Sequence, residues 1–537
     1  MPSMLWKSSG YDLLFCYLLP KPMLSDDQCY QAILSRDGRF DGVFFVGVSS
    51  TRIYCRSVCT VKAPMRKNCT FYPSAAAAEL AGYRPCLRCR PELAPGQAKI
   101  DAMGRLAIAA ATRIEAGALT RQSVSALATD LGISDRHLRR VLKQAFGVSP
   151  IQLAQTQRLL LAKRLLNDTP LSVAEVAFAS GFSSVRRLNA LFQKRYRLKP
   201  SALRRSAGKS ARASQDIPPE MLHCELAYRP PLDWRGLLSF LARRAISQVE
   251  MITGSQYQRT VNLGEHKGWI RVSHLPEKDK LTVDISAGLV PAILPVLTRV
   301  KALFDLAADP QPIAEQLSAP VNDLCGKLSP LPVTPGLRVP GAFDGFEIAV
   351  RTILGQQVSV KAASTLMARL VEAFGEPIET PESLLTRLMP TPTQIVQLPL
   401  AALSALGILP SRGKTILTLA HAVTQENLQL HNHANINTTM TALKEISGIG
   451  DWTAQYIAMR VLAYPDAFPA GDLGLRHALG VEKSAQVLKI AEPWRPWRAY
   501  GAIALWKTLE KSPDHFPDQS PDYFPDQSME SPVEISK

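Results

Sequence analysis

Two close cysteine pairs constrain this chain more than any other feature. Three residues separate Cys55 from Cys59, two separate Cys86 from Cys89, and 26 lie between the pairs. Four soft thiolates in this pattern supply the donor number and type of a tetrahedral zinc site. Nine cysteines, an odd total, and no sign of export argue against a disulfide framework. The apolar stretch Leu13–Leu19 is short, its flank holds only Lys7, and no small-residue cleavage site follows, so no secretory leader is expected. Cys69 sits near both pairs but outside them and reads as a buried thiol, while Cys16, Cys29, Cys224 and Cys325 are scattered singly. Spacing alone leaves two readings open: a structural zinc that staples a small domain, or chemistry at the sulfur.

Charge narrows the partner. Lys plus Arg number 62 against 46 Asp plus Glu, a net +16, and the acidic residues 512–537 carry −5, leaving +21 elsewhere. Residues 99–209 hold 20 Lys/Arg against 6 Asp/Glu. A surplus that concentrated draws polyanions, and no run of about 18 apolar residues is available to span a bilayer, so nucleic acid leads over membrane. A chain of 537 residues has room for about three to five domains. Composition places the seams: an N-terminal extension over 1–22, a Cys-rich unit over 23–97, the basic unit over 99–207, and a linker over 208–219. Strand-like runs around a helical stretch suggest an α+β unit over 220–335. Residues 336–511 are helical in pattern, and a Pro-rich acidic tail with FPDQS repeated at 516–520 and 524–528 fills 512–537 and is expected to be disordered.

The basic unit contains an internal repeat. A short helix, a glycine turn and a second helix occur around Gly132 and again around Gly181, with second helices predicted over 134–146 and 183–195. Glycine permits the positive φ that lets two short helices meet steeply. Leu127, Leu131, Leu138 and Leu142 mark the first core, and Val176, Ala179, Phe182 and Leu188 the second. Arg136, His137, Arg139 and Arg140 near the start of one predicted reading helix, and Arg186, Arg187 and Asn189 near the start of the other, are the side-chain types that meet base edges and phosphates.

Three family resemblances attach to these residues. The runs IYCRSVC, KNCTFY and GYRPCLRCRP resemble the N-terminal domain of Ada-type methylated-DNA repair proteins. That resemblance implies that Cys55 is a zinc-bound thiolate that accepts a methyl group from a methylated backbone phosphate, with Cys59, Cys86 and Cys89 completing the metal site. The stretch VAEVAFASGFSS with LFQKRYRLKPSALR looks like the signature of AraC-type regulators, with Gln155–Leu166 as the connecting helix and Arg197 replacing the family's usual glycine. Such a pair is expected to enter successive major-groove segments of promoter DNA and to work with RNA polymerase.

The third resemblance covers residues 226–510. Leu443–Val461 (LKEISGIGDWTAQYIAMRV) reads as helix, hairpin, helix, and the hairpin glycines Gly448 and Gly450 open backbone groups to a DNA phosphate, often through a bound monovalent cation. With PPLDW, LRVPGAFDGFE, RTILGQQVSV and EPWRPWRAYGAIALW, the region is similar to 3-methyladenine DNA glycosylase II of the helix-hairpin-helix superfamily. The resemblance implies that Asp472 is the catalytic carboxylate and that Trp452, Tyr456 and Trp506 line the pocket for a flipped alkylated base. Gln357 stands where the family carries an apolar wedge. Trp452 occupies the place where strand-cutting relatives have a lysine, so a monofunctional enzyme is expected.

The fold class that follows is multidomain: a small zinc-bound α+β domain, an all-α tandem helix-turn-helix domain, and an α+β lobe joined to an all-α helix-hairpin-helix glycosylase domain. One rival is a regulator whose C-terminal half only binds DNA; another is a repair enzyme whose helix-turn-helix pair merely adds affinity. No Pro-Cys-His-Arg run occurs, so the activity that repairs O6-methylguanine is not expected. The protein is expected in the cytoplasm, associated with the nucleoid, and Met23 is a second possible start.

Overall fold

The computed structural model describes residues 24–94, 102–115, 117–169, 171–207, 221–319 and 331–510. The N-terminal extension, the 208–219 linker and the acidic tail lie outside the described residues.

The first unit comprises α1 (Asp26–Leu34), β1 (Phe45–Val48), β2 (Ile53–Cys55), β3 (Cys69–Tyr72), α2 (Ala75–Leu80) and β4 (Arg84–Pro85), with the sheet ordered β3-β1-β2-β4. β1 pairs antiparallel with both β2 and β3, and β2 pairs parallel with β4.

The basic unit is helical throughout: α3 (Ala102–Glu115), α4 (Ala118–Arg121), α5 (Val124–Asp130), α6 (Asp135–Phe146), α7 (Pro150–Asp168), α8 (Val173–Ala179), α9 (Val185–Tyr196) and α10 (Pro200–Ala207). Serine starts five of these helices. Ser123, Ser134, Ser149, Ser172 and Ser184 each accept a first-turn backbone N–H, which satisfies a donor the helix cannot. Gly132 at φ +69° and Gly181 at φ +79° form the two turns. A side chain at Gly181 would also place its Cβ 2.9 Å from Thr120 Oγ1, so space and backbone both demand glycine there. The second copy departs from the predicted boundary. Its turn is one residue longer, so Ser183 lies in the turn and Ser184 caps a helix running to Tyr196.

A five-stranded antiparallel sheet, ordered β5-β9-β8-β7-β6, follows: β5 (Met221–Ala227), β6 (Glu250–Thr253), β7 (Gln256–Leu263), β8 (His266–Leu275) and β9 (Lys280–Ser286). It packs with α11 (Trp234–Ala242), α12 (Ile293–Leu303) and α13 (Pro310–Ser318). The remaining helices are α14 (Gly345–Leu354), α15 (Val360–Phe374), α16 (Pro392–Val396), α17 (Leu400–Ala405), α18 (Pro410–Thr424), α19 (Ile436–Glu445), α20 (Asp451–Arg460), α21 (Leu473–Leu479), α22 (Ser484–Ala491) and α23 (Arg498–Glu510). A buried ion pair, Arg259 Nη2 to Glu347 Oε2 at 2.7 Å, ties β7 to α14.

The hydrophobic core does not divide at the seams that composition suggests. The first helix-turn-helix has a core of its own around Leu127, Leu138 and Leu142. The second (Val176, Phe182, Leu188, Phe192) shares one continuous core with the five-stranded sheet and the C-terminal helices. No helix among the described residues is long and apolar enough to cross a membrane.

Candidate functional site

Sheet register builds the cysteine centre. Parallel pairing sets Tyr54 opposite Pro85, so Cys55 and Cys86 emerge side by side, and the Cys86 N–H donates to the Tyr54 carbonyl at 3.0 Å. A turn in which the Cys59 N–H donates to the Arg56 carbonyl at 3.3 Å brings Cys59 back, and the Arg56 N–H donates to Cys89 Sγ at 3.4 Å. The ligand atoms of Cys55, Cys59, Cys86 and Cys89 all lie within 4.8 Å of one another. A tetrahedron of Zn–S bonds near 2.3 Å has edges of about 3.8 Å, so the donor set fits zinc. Hydrogen bonds within the cluster pull Cys59 down to about 7 and push Cys55 up. Four thiols this close together suit a dication, which would displace their protons. Cys55, Cys59 and Cys86 are buried residues and Cys89 is half-buried. A buried Arg56–Asp41 pair, which sequence reading missed, braces the loop, with Arg56 Nη1 also donating to the Cys89 carbonyl at 3.1 Å. Cys69 is buried outside the cluster, its thiol donating to the Met65 carbonyl at 3.4 Å.

Both predicted reading helices present their basic residues outward. Arg136, Arg139 and Arg140 on α6 and Arg186, Arg187 and Asn189 on α9 are exposed, and His137 is half-exposed. Arg139 pairs with Asp135 at 2.7 Å one turn back, a surface contact that phosphate can replace at small cost. Arg197, at φ +55°, ends α9 in the left-handed conformation that Gly147 adopts at φ +73° after α6. It repeats the first copy's cap geometry without its glycine.

The C-terminal helices gather the residues expected to act on a base. Asp472 caps α21 by accepting the Leu475 N–H at 3.0 Å. The same carboxylate accepts two indole N–H groups, Trp452 Nε1 at 3.0 Å and Trp506 Nε1 at 2.9 Å. Trp452 stacks on Tyr456 with centroids 5.6 Å apart, and Tyr456 leans on Trp506 at 6.0 Å. All four side chains are half-buried. Tyr456 and Trp506 pack against the core with one side and leave part of their surface open.

Sequence reasoning missed three arginines behind these rings. Arg460 Nη1 donates to the Tyr456 hydroxyl at 2.9 Å, and its other nitrogens donate to the carbonyls of Pro340 and Gly341. Arg244 and Arg460 lie 3.8 and 4.9 Å from the Phe240 ring centroid, and Arg351 donates to Ser364. Burial would raise the Tyr456 phenol, but Arg460 and Arg244 outweigh it and bring it below its ordinary value. Burial also pulls Arg244 down to about 10, opposed by Tyr456 and reinforced by Arg460, Arg243 and Arg351. These residues are far apart in sequence and belong to no motif that would have revealed them.

The hairpin joins α19 to α20. Gly448 adopts φ +92°, and a Cβ there would fall 2.2 Å from Thr415 Oγ1, which donates to the Ser447 carbonyl at 2.8 Å. Ile449 is buried as an anchor, while Gly448 and Gly450 are exposed. Gln356 Nε2 donates to the Gly448 carbonyl at 2.8 Å and to Thr453 Oγ1 at 3.0 Å, locking the α14–α15 turn to the hairpin. Gln357, exposed at φ +55°, forms the tip of that turn.

Consecutive stretches match four family descriptions: "Metal binding domain of Ada" over residues 28–92, "Helix-turn-helix domain" over 127–206, "AlkA N-terminal domain" over 223–344, and "HhH-GPD superfamily base excision DNA repair protein" over 350–484. Fold and sites together define a fusion of a zinc-binding Ada-type module, an AraC-type DNA-binding module and a helix-hairpin-helix glycosylase. The chain belongs to the family of the "Probable bifunctional transcriptional activator/DNA repair enzyme AlkA" of Mycobacterium tuberculosis (strain ATCC 25618 / H37Rv), with 37% identity over 504 residues, 92% of this chain and 98% of the relative. "DNA-3-methyladenine glycosylase 2" of Escherichia coli (strain K12) is 36% identical over 290 residues, 54% of this chain and 98% of the relative. The "Bifunctional transcriptional activator/DNA repair enzyme Ada" of the same strain is 38% identical over 143 residues, 26% of this chain and 38% of the relative.

Proposed function

We propose that the chain answers alkylation damage in two ways. Its N-terminal half senses methylated DNA backbone and activates transcription, and its C-terminal half excises alkylated bases of the 3-methyladenine type. The observation that carries the reading is the Asp472 carboxylate held between two indole N–H groups whose rings both contact Tyr456.

At the cysteine centre, Cys55, Cys59, Cys86 and Cys89 would hold zinc, which would keep their sulfurs deprotonated at neutral pH. Cys55 Sγ attacks the methyl carbon of a backbone phosphotriester. A sulfur–carbon bond forms, the carbon–oxygen bond breaks, and the ordinary phosphodiester leaves with the electron pair. The transfer is single-turnover because the thioether is not reversed. Converting a thiolate to a thioether removes one negative unit beside the DNA, which strengthens phosphate binding. Arg136, His137, Arg139, Arg140, Arg186, Arg187 and Asn189 then read the promoter, and RNA polymerase is the downstream partner. The site of action is the nucleoid.

Beside Asp472, Trp452, Tyr456 and Trp506 stack on the electron-poor flipped base. The cationic base departs neutral with the electrons of the N-glycosidic bond, Asp472 stabilises the positive charge left on the sugar, and water adds and releases a proton to solvent to give an abasic site. Position 452 offers an indole rather than an amine. Lys507, beside Trp506 in sequence, is tied to Asp233 and Thr334, which supports monofunctional hydrolysis. Gln357 fills the gap left by the flipped base, and Gly448 and Gly450 receive the phosphate. A monovalent cation at the hairpin would share the Ser447 and Gly448 carbonyls with Thr415 and Gln356.

One incubation tests both halves. Zinc-loaded protein mixed with methylated duplex should release alkylated bases and gain one methyl mass on Cys55. An adduct on any cysteine other than Cys55, or release of no base, would overturn the corresponding half.

A further inference from the structure

The zinc domain does more than touch the helix-turn-helix pair: one short helix of it holds both reading helices. At its start, Ser74 Oγ, the N-cap of α2, donates to the carbonyl of Phe146, the last residue of α6, at 2.7 Å. Ala77 of α2 lies against Gly147 just beyond. Toward the other end, the Glu79 carboxylate accepts the hydroxyl of Tyr196, the last residue of α9, at 3.0 Å, and the Glu79 carbonyl accepts from Arg195 Nη1, also at 3.0 Å. The same carboxylate accepts Thr156 Oγ1 of the connecting helix α7 at 2.9 Å and the hydroxyl of Tyr54, the residue before Cys55, at 3.1 Å. Glu79, Tyr54, Tyr196 and Thr156 are all at most 3% exposed.

A buried carboxylate is costly unless its oxygens are occupied, and here three hydroxyls from three separate segments occupy them. Four residues of α2 lie between Ser74 and Glu79, a five-position step of about 7.5 Å of helical rise. Nearby, a second buried contact, Lys163 Nζ to Glu92 Oε2 at 2.6 Å, fastens the end of the zinc domain to α7. The two reading helices are thus referenced to a common rigid element at their C-terminal ends as well as through α7.

We infer that α2 of the zinc domain is part of the operator reader, and that Glu79 is a positioning residue that fixes the separation of the two reading helices and hence the half-site spacing the protein accepts. The inference rests on the reading that the helix-turn-helix pair binds a specific two-part DNA site.

The test uses full-length, zinc-loaded protein and a duplex that the wild type selects from a random library. Inserting one base pair between half-sites shifts them by roughly 3.4 Å and 35°. Wild type is expected to lose at least thirtyfold in affinity on insertion. Glu79→Gln and Tyr196→Phe are expected to bind the selected duplex at least tenfold more weakly and to lose less than threefold on insertion. Their affinity for a single half-site, zinc content and methyl uptake on Cys55 should stay within twofold of wild type. Tyr196→Phe keeps the ring that packs on Phe192 at 4.8 Å, so it separates loss of the clamp from loss of the fold. An unchanged insertion penalty in both variants would overturn the clamp. A selection that yields no two-part site would instead overturn the underlying regulator reading, and the inference with it.

Discussion

Replacing Asp472 by Asn tests the reaction and the local architecture together. The carboxylate accepts three hydrogen bonds, from Leu475 and Trp506 on Oδ1 and from Trp452 on Oδ2. An Asn oxygen at the Oδ1 position can keep two of those donors, but its NH2 then faces the third, the Trp452 indole N–H. Losing one charge-assisted bond at a half-buried site should cost about 1–2 kcal/mol of stability. The catalytic loss should be larger. A sugar cation about 4 Å from the carboxylate, at an effective dielectric near 20, gains about 4 kcal/mol, roughly a thousandfold in rate. The assay is single-turnover base release from methylated duplex, with thermal unfolding and affinity for an abasic duplex measured on the same preparations. The expected pattern is a rate lower by about three orders of magnitude, a modestly lower unfolding midpoint, and abasic-site affinity within a few-fold of wild type. Release within tenfold of wild type would refute the charge argument. Equal losses of rate and DNA affinity would reduce Asp472 to a structural cap.

Arg197 holds a left-handed backbone at an exposed position, so Arg197→Gly should stabilise the fold by about 1 kcal/mol in denaturant unfolding. Gly448→Ala combines φ +92° with a Cβ 2.2 Å from Thr415 Oγ1 and should cost at least about 2 kcal/mol. Gly450→Ala meets nothing within 4 Å, so it should leave stability alone while weakening duplex binding by anisotropy. Burial, against the pull of hydrogen bonds from Thr156, Tyr196 and Tyr54, raises Glu79 from 4.5 to about 7. Folding therefore takes up a proton between those values, and the stability this confers is full below pH 4.5 and lost as pH rises through 7. Relative to Glu79→Gln, wild type should lose up to about 3 kcal/mol across that window, and parallel curves for the two proteins would refute the shift.

Much of the fold was legible locally. The glycine turns at Gly132 and Gly181 and the hairpin over Ser447–Gly450 depend on backbone geometry that neighbouring residues specify, and the structure shows them where the sequence reading put them. The second reading helix began one residue late because Ser184 rather than Ser183 satisfies its first-turn donor. The bringing together of Trp452, Tyr456, Trp506 and Asp472 was implied by a family resemblance. Spacing could not have supplied it, because Trp506 is 34 residues from Asp472 along the chain.

By itself the sequence determined the chemistry on offer: four thiols in two pairs, a strongly basic helical segment, and a hairpin built on two glycines. Only the tertiary structure decided the electrostatic setting of that chemistry. Arg244, Arg351 and Arg460 converge behind Tyr456, and Glu79 meets Tyr196 across 117 residues of chain. The physical reason is one of range. Caps and turns are settled by groups a few residues apart, whereas the energy of a buried charge depends on whatever the finished fold packs around it.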